Sequence, residues 1–466
     1  MPEKRSPSLL PTVRPPTGPE RLALSLSRFE SAVRSRSVNL IQLTPGAGGM
    51  YCGNCFRDNA LVAALQRQGH PTLMVPLYLP MTLDEAQAGG GSPTFFGGLN
   101  VFFDQKAGWY RRAPHWFRRL FDAPFLLRLA AGKAAKTRAA DVGDLTVSML
   151  RGEQGHQARD LEELIDWLRT QQRPDAVLLS NALLIGFARR IREALGTRVV
   201  CFLQSEESFL DSIPEPWGPR AWQTLSERAP TVDLWISPSR YFADRMGRRL
   251  GISRDRIRVV PNGIHLSGYD TLQPRKPKEP GEPLTLGFFA RMCPDKGLDI
   301  LVDAFLRLRK TGRFPFLRLK VGGGCGPGDA SFVSDLQERL AAAGISEAAS
   351  FHPNLTREEK IAFYASCDVL SVPARISESF GLYVIESLAA GTPLVQPSVC
   401  TFPELLEDTG GGVLCGENTP EALASALEPL LLDPERLVRL GETGRRAVLD
   451  HYTDDHMAQR MVVTLR

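Results

Sequence analysis

Residues 368–397, DVLSVPARISESFGLYVIESLAAGTPLVQP, contain the pattern that decides the fold. The runs DVLSVPA and PLVQP at its two ends are short, apolar and bounded by turn-forming residues, as buried strands are. Between them, LYVIESLAAG has apolar residues at helical spacing and ends in glycine, a common residue at the end of a helix. A strand, a helix and a second strand in this order are typical of a parallel sheet covered by helices.

Apolar runs of strand length recur on both sides of this stretch, with helical stretches between them. They are VNLIQLTP (38–45), PTLMVPLYL (71–79), DAVLLS (175–180), RVVCFLQ (198–204), VDLWISP (232–238), IRVVPNG (257–263), LTLGFFA (284–290), LRLKVGG (317–323) and ASFHP (349–353). Because strands that are apolar throughout are buried on both faces, we predict an α/β fold with doubly wound parallel sheets.

The segment LSGYDTLQPRKPKEPGEP (266–283) interrupts this alternation. Its Pro, Lys and Glu residues cannot supply a core, so we assign it as a linker between two Rossmann-like domains that face each other across a cleft. The predicted parts of the chain are a flexible tail (1–37), an N-terminal domain (38–265), the linker (266–283), a C-terminal domain (284–450) and a C-terminal helix (451–466), with the N-terminal domain as one candidate packing partner of that helix.

The composition excludes several classes of protein. The 466 residues suggest two or three domains of ~150 residues each, and 43% hydrophobic with 23% charged residues is the balance of a soluble globular chain. The formal net charge of +4 is too small to indicate a nucleic-acid-binding protein, and no apolar run approaches the ~18 residues of a membrane-spanning helix. We find no secretory signal, and the eight cysteines are typical of reduced thiols, so we predict a cytoplasmic location.

Two glutamates flank the predicted helix start in the deciding stretch. Glu378 lies in the loop before the helix, and Glu386 lies about one and a half turns into it. Gly381 lets an anionic ligand approach the unpaired amides of Leu382 and Tyr383, where the helix dipole favours negative charge. A phosphate-bearing ligand with hydroxyl groups at both ends fits this layout. The alternative is an ordinary strand–loop–helix connection with a surface glutamate at each end.

Two cationic residues lie between a predicted strand and the next predicted helix in LGFFARMCPDKGLDILVDAF (286–305). Arg291 directly follows a predicted strand, and Lys296 with Gly297 opens the next helix. Such a pair is suited to bind a diphosphate, because arginine offers a planar fork and lysine a point charge. The alternative is a pair of solvated loop cations, but the anion-accepting helix start in the same domain favours the diphosphate site.

The loop TPGAGGMYCGN (44–54) joins the first strand to the first helix. It is not a dinucleotide fingerprint, because Tyr51 stands where a third glycine is required and no acidic residue ends the second strand. NAD chemistry is therefore disfavoured, whereas an approach of this backbone to a phosphate or sugar is compatible with the glycines. Cys52 and Cys55 form a lone CxxC, for which packing at the helix start is favoured over a zinc or redox site.

The stretch 106–138 is strongly basic and rich in aromatic residues, and Asp122 is its single acidic residue. Such a segment is suited to contact with an anionic membrane surface or to guiding an anionic acceptor. The alternative, which we favour, is a set of helices whose aromatic side packs on the N-terminal domain. Nucleic acid is disfavoured as a partner.

These motifs resemble those of the family 4 retaining glycosyltransferases (glycosyl transferases group 1), which have the GT-B fold. The most specific is the E-x7-E element from Glu378 to Glu386, followed by AGTP (390–393), and the similarity extends from Val38 to the end of the chain. Supporting elements occur in the family's order: VVPNGI (259–264), Arg291 with Lys296-Gly297, and VGGGCGPGD (321–329).

The resemblance implies transfer of a sugar from a nucleotide-diphosphate sugar to an acceptor hydroxyl of a glycan, polysaccharide or glycolipid, with retention of configuration. It implies catalytic roles for Arg291 and Lys296 on the diphosphate leaving group and for Glu378 on the donor sugar. The implied donor-binding residues are Gly48, Gly49, Phe380, Gly381, Leu382, Tyr383 and Glu386, the last through ribose hydroxyls. No DxD-type motif follows a strand, in keeping with catalysis without a metal ion, and no cofactor is implied.

One departure from the family concerns the loop after RVVCFLQ, where many relatives carry a histidine near the reacting carbon. Here the loop begins with Gln204, which cannot act as a general base and is assigned to polar positioning on the acceptor side, with Glu206 as a second candidate. Two other classes are compatible with the sequence. One is a catalytically silent nucleotide-sugar-binding protein on the same scaffold, and the other is a glycan phosphorylase, which would require lysine-bound pyridoxal phosphate.

Overall fold

The described part of the chain forms two parallel β-sheets that follow one another in sequence. The structure, a computed structural model, describes residues 37–46, 53–78, 88, 95–96, 105, 142–279, 281–375 and 377–466. The strands of the first sheet are β1 (Leu40–Thr44), β2 (Thr72–Pro76), β3 (Ala176–Leu179), β4 (Arg198–Phe202), β5 (Leu234–Ser237) and β6 (Ile257–Val259). The strands of the second are β7 (Thr285–Phe289), β8 (Arg318–Gly323), β9 (Ala349–Pro353), β10 (Val369–Leu370), β11 (Leu394–Gln396) and β12 (Gly412–Leu414).

Within the described residues, each sheet has six strands, in the orders β2-β1-β3-β4-β5-β6 and β12-β11-β10-β7-β8-β9. The pairing is parallel throughout; Leu40 of β1, for example, lies opposite Thr72 of β2 on one side and Ala176 of β3 on the other. The strand order reverses between β1 and β3 in the first sheet and between β7 and β10 in the second. Doubly wound sheets bind ligands at such points.

Helices connect the strands and cover the sheets. They are α1 (Gly53–Arg67), α2 (Gly143–Arg151), α3 (Ala158–Thr170), α4 (Ala188–Leu195), α5 (Glu206–Asp211), α6 (Trp217–Arg228), α7 (Arg240–Leu250), α8 (Leu298–Lys310), α9 (Ala330–Ala342), α10 (Arg357–Ser366), α11 (Leu382–Ala389), α12 (Phe402–Thr409), α13 (Pro420–Leu431), α14 (Pro434–His451) and α15 (Asp454–Leu465). The predicted α/β fold with doubly wound parallel sheets is confirmed.

Burial explains why the apolar runs form strands. Every residue of β1, β3, β5 and β7 is buried, so the side chains on both faces of these strands are removed from water. A strand with this composition is stable when helices cover both faces of its sheet. The carboxyl ends of the strands carry the candidate site, as in other doubly wound sheets.

The last helix, α15, follows the second sheet in sequence but packs against the first half of the chain. Met457 and Met461 of α15 are buried in one apolar cluster with Leu61 of α1. The Ile264 amide donates to the carbonyl oxygen of Tyr452 at 3.0 Å, which ties the approach to this helix to the segment after β6.

The predicted linker 266–283 lies between the last strand of the first sheet and the first strand of the second. The exact domain boundaries stay a prediction, and the predicted tail lies outside the described residues except for Ser37. Among the helices that the structure describes, none combines the length and the apolar composition that crossing a membrane requires.

Candidate active site

A cavity of about 310 Å³ opens between the carboxyl ends of the two sheets. Its N-terminal wall includes α1 and the loop after β4, and its C-terminal wall includes the loops after β7 and β10 and the start of α11. The cavity brings together nine of the residues named from the sequence: Gln204, Arg291, Lys296, Glu378, Phe380, Gly381, Leu382, Tyr383 and Glu386.

Lys296 reaches the cavity because the chain turns sharply after β7. Gly297 has a φ of 71°, and a Cβ there would lie 1.9 Å from the carbonyl oxygen of Pro373, so the turn requires glycine. Lys296 Nζ donates to Glu378 Oε2 at 2.6 Å, and Tyr383 Oη donates to the same oxygen at 3.2 Å. Burial alone lowers the pKa of Lys296, but the Glu378 carboxylate outweighs it, so the pKa is raised and the ammonium group stays charged.

Arg291 is the second cation on this wall and lies directly after β7. Its Nε and Nη2 donate to the two carboxylate oxygens of Asp329, both at 3.0 Å. Asp329 also accepts the amide of Gly326 at 3.0 Å, and its hydrogen bond to Arg291 raises the pKa of the guanidinium. Because 65% of the Arg291 side chain is exposed and a guanidinium has five N–H donors, Arg291 is oriented by Asp329 and keeps donors for a ligand.

The start of α11 is a third source of positive potential on the same wall. Gly381 precedes the helix with a φ of 80° and a ψ of 77°. The amides of Leu382 and Tyr383 have no acceptor within the helix, since the first turn of a helix leaves its N–H groups unpaired, and both residues line the cavity. Together with the helix dipole, these amides favour an anion in the cavity.

Glu386 lies further along α11 and is held by two side chains of α10. Lys360 Nζ donates to Glu386 Oε1 and Tyr364 Oη donates to Oε2, both at 2.9 Å. The Lys360 and Glu386 side chains are 4% and 11% exposed. A carboxylate held at both oxygens has lone pairs left for further donors, so Glu386 presents a rigid acceptor to the hydroxyl groups of a ligand.

The loop after β4 forms part of the opposite wall. Gln204 lines the cavity, whereas Glu206 is 3% exposed and lies beneath the loop. The Glu206 carboxylate accepts the amides of Ala182 and Gln204, both at 2.8 Å, and burial raises the pKa of Glu206 to about 7. Glu206 therefore supports the loop that presents Gln204. Ser205, between them, has a φ of 62°.

Two protein-family models match this chain. "Glycosyl transferases group 1" matches residues 270–447, and "Glycosyltransferase Family 4" matches residues 135–267. Over these two ranges the chain is similar to the group 1 and family 4 glycosyltransferases. The resemblance inferred from the sequence motifs is confirmed.

Curated relatives of this chain include proteins named D-inositol 3-phosphate glycosyltransferase. The protein from Nocardia farcinica is 36% identical over 215 residues, which cover 45% of this chain and 47% of the relative. The protein from Xylanimonas cellulosilytica is 31% identical over 266 residues, which cover 54% of this chain and 60% of the relative. The chain thus spans about half the length of the curated relatives that it matches.

Solved structures share the fold of this chain at low sequence identity. HepE of Anabaena in complex with UDP superposes with a TM-score of 0.62 at 14% identity and covers 92% of this chain and 99% of that one. Sucrose-phosphate synthase from Thermosynechococcus elongatus gives 0.65 at 17% identity, with 92% and 98% covered. These similarities show the GT-B fold.

Several sequence expectations fall outside the described residues. They include the roles of Gly48, Gly49 and Cys52 and the packing or membrane contact of 106–138, all of which stay predictions. In the part of the chain that the structure describes, no group of three or more His, Cys, Asp or Glu side chains is placed to hold a metal ion. Catalysis without a metal also stays a prediction.

Sequence reasoning missed the side chains that hold the predicted site residues. Of these side chains, Lys360 was the easiest to predict from the sequence. Thr356 and Glu359 form the pattern of a capping box, which marks the start of α10. Lys360 follows them in the first turn of the helix after β9, much as Lys296 comes shortly after β7. Asp329 has no such local signal, since its role depends on the contact with Arg291.

Proposed function

We propose that this glycosyltransferase moves a sugar from a nucleotide-diphosphate sugar to a hydroxyl group of a carbohydrate or lipid-linked acceptor, with retention of configuration and without a metal ion. The observation that carries the proposal is the convergence of Arg291, Lys296 and the start of α11 on one wall of the cavity. The acceptor approaches from the wall that contains Gln204.

The charge distribution of the C-terminal wall suits this reaction. When the bond between the sugar carbon and the diphosphate breaks, negative charge grows on the diphosphate, and positive groups already in place stabilise it. Lys296 and Glu378 lie 2.6 Å apart, so a donor that joins a diphosphate to a sugar would meet the cation and the hydroxyl acceptor side by side. Glu386, held by Lys360, is assigned to the ribose hydroxyls.

The comparisons suggest which substrates to test first. The structures of HepE contain UDP or UDP-glucose, and the curated relatives are named for D-inositol 3-phosphate. We therefore choose UDP-glucose as the first donor and D-inositol 3-phosphate as the first acceptor, followed by GDP- and ADP-linked sugars. Calorimetry measures donor binding, and release of the nucleoside diphosphate measures turnover.

Two additions to this assay test the finer parts of the proposal. The rate should be unchanged by a chelator of divalent cations, because Arg291, Lys296 and the α11 amides supply the compensating charge. The NMR coupling constant of the product should show the anomeric configuration of the donor. Binding of several donors with turnover of none would contradict the transferase assignment and favour a silent nucleotide-sugar-binding protein.

The Lys296→Ala variant tests the role of the cation. We expect its turnover to fall at least about tenfold, because it lacks a charge that stabilises the leaving group. Lys310→Ala is the matched control, since Lys310 is exposed at the end of α8 and should leave turnover unchanged. Circular dichroism and the melting temperature verify that both variants are folded. Equal turnover of Lys296→Ala and wild type would contradict the role of Lys296.

A further inference from the structure

Two serine hydroxyls of the N-terminal wall hold both backbone polar groups of one residue on the C-terminal wall. Ser239 Oγ donates to the carbonyl oxygen of Ser379 at 2.7 Å, and the Ser379 amide donates to Ser205 Oγ at 3.2 Å. Ser239 and Ser379 are 1% and 5% exposed, so water has little access to these hydrogen bonds. Each hydrogen bond crosses the cleft between the two sheets.

Each of the two serines is itself held in position. Ser239 is the N-cap of α7, and its Oγ accepts the amide of Phe242 at 3.1 Å. Ser205 has a φ of 62°, a left-handed conformation that is unfavourable for serine, and the preceding amide of Gln204 is bonded to buried Glu206. Strained backbone of this kind persists only where the surroundings enforce it, and it is concentrated at functional sites.

Ser379 connects two parts of the candidate site. It directly follows Glu378, whose carboxylate pairs with Lys296, and it precedes Phe380 and Gly381 at the start of α11. Because neighbouring residues share the backbone, a contact that holds Ser379 also sets where Glu378 lies, whereas α11 is held by its own buried side chains, among them Val384 and Ile385. The two hydroxyls therefore determine the position of this loop relative to the N-terminal wall.

A second set of contacts stabilises the same arrangement. The Glu404 carboxylate accepts the amides of Arg240 at 2.9 Å and Tyr241 at 3.0 Å. Tyr241 Oη lies 3.4 Å from the hydroxyl oxygen of Ser377. Since a carboxylate is favoured at the N-terminus of a helix, Glu404 keeps α7 against the C-terminal half and holds Ser239 next to Ser379.

We propose that Ser205 and Ser239 are positioning residues of the transfer reaction. They hold Ser379 between the two walls and thereby align Glu378 with the donor bound at Lys296. The inference rests on the function proposed above and adds to it two residues of the N-terminal half. Loss of either hydroxyl should lower kcat with little change in nucleotide affinity, because the groups that bind the diphosphate stay in place.

Variants of the two serines distinguish the effect of losing a hydroxyl group from an effect on the backbone conformation. Ser205→Gly removes the hydroxyl and suits the positive φ, since glycine adopts that conformation freely. Ser239→Ala removes the other hydroxyl, and Ser239→Thr restores one. Thr419→Ala is the matched control for the loss of an N-cap, because Thr419 Oγ1 accepts the amide of Ala422 at 3.2 Å at the start of α13.

We expect kcat to fall at least about tenfold in Ser205→Gly and Ser239→Ala, with the Kd of UDP within about threefold of wild type. Ser239→Thr and Thr419→Ala should keep a kcat near that of wild type. A kcat within about threefold of wild type in both serine variants would overturn the proposal. A loss of UDP affinity as large as the loss of kcat would overturn it as well, because it would mean general damage to the site.

Amide hydrogen exchange gives a measurement that does not depend on turnover. Loss of either hydroxyl should speed exchange of the 377–381 segment, which contains the Ser379 amide, by about tenfold. Unchanged exchange in both variants would overturn the positioning role even if kcat fell. If the wild-type protein transfers no sugar from any donor, the proposed function fails, whereas faster exchange in both variants still supports the hold on Ser379.

Discussion

Lys296 and Lys360 each contact one glutamate of the E-x7-E element, Glu378 at 2.6 Å and Glu386 at 2.9 Å. Removing such charges from water is costly, so each needs its partner, and pairs of this kind contribute little net stability. Their value lies in geometry, since a paired carboxylate keeps one orientation and can accept further hydrogen bonds. The same reasoning applies to Arg291 and Asp329, whose two hydrogen bonds fix the plane of the guanidinium.

The buried carboxyl group of Glu206 predicts a pH dependence of the free energy of unfolding. Burial raises the pKa of Glu206 to about 7, from an ordinary value of 4.5. Between these values the folded protein holds a proton that the unfolded chain has lost, so the free energy of unfolding falls as the pH rises from about 4.5 to about 7. Glu206→Gln, which cannot ionise, should lack this part of the pH dependence.

Urea unfolding of wild type and Glu206→Gln at a series of pH values measures the effect. The variant should gain up to about 3 kcal/mol relative to wild type between pH 4.5 and pH 8. Neighbouring Glu207, whose pKa burial also raises, titrates in both proteins, and its charge is a lesser cause of the raised pKa of Glu206. Parallel curves for the two proteins would contradict the prediction.

Helix α10 shows how one element contributes to the site. It begins with a capping box in which the amide of Glu359 donates to Thr356 Oγ1 at 3.3 Å and the amide of Thr356 donates to Glu359 Oε2 at 2.9 Å. This box determines where the helix starts, and therefore which residue of its first turns faces α11. That residue is Lys360, and Tyr364 follows one turn later, so both reach Glu386.

Removal of the cap should weaken this element. Thr356→Ala is expected to lower the free energy of unfolding by about 1 kcal/mol, because the amide of Glu359 loses its acceptor. Thr356→Ser keeps the hydroxyl and serves as the control. Equilibrium unfolding in urea measures both variants, and equal stability of Thr356→Ala and wild type would show that the cap does not determine the helix start.

At the scale of the whole molecule, the end of the chain joins the two halves. Arg67 of α1 donates to Asp454 at 2.8 Å and to Asp455 at 2.9 Å, next to the apolar cluster that α15 shares with α1. Close by, Gly263 lies so near the backbone before α15 that a Cβ there would be 2.1 Å from the carbonyl oxygen of Thr453. The packing of α15 against the N-terminal half therefore depends on a close contact between the backbones of Gly263 and Thr453.

Gly263→Ala tests this contact. We expect a loss of roughly 2 kcal/mol in the free energy of unfolding, because a methyl group must displace the Thr453 backbone. Gly328→Ala is the control, since a Cβ at that position has no atom within 4 Å. Thermal unfolding compares the two, and equal melting temperatures would contradict the close contact.

The sequence by itself predicted eleven of the twelve described strands, all except β12, together with the α/β class and the resemblance to the glycosyltransferases. Periodicity and spacing are local properties, so DVLSVPA, LYVIESLAAG and the E-x7-E element could be interpreted without the rest of the chain. The same spacing predicted that Arg291, Lys296 and the start of α11 lie at one end of the C-terminal sheet, and the structure places all three in one cavity.

Only the tertiary structure decided which side chains hold these residues. Glu386 and Lys360 are 26 residues apart, Arg291 and Asp329 are 38 apart, and the serines that bind Ser379 lie 140 and 174 residues away from it. Such contacts depend on how helices pack beside a sheet and how the two sheets face each other. No local spacing encodes that packing, because it results from burial of apolar surface distributed over the whole chain.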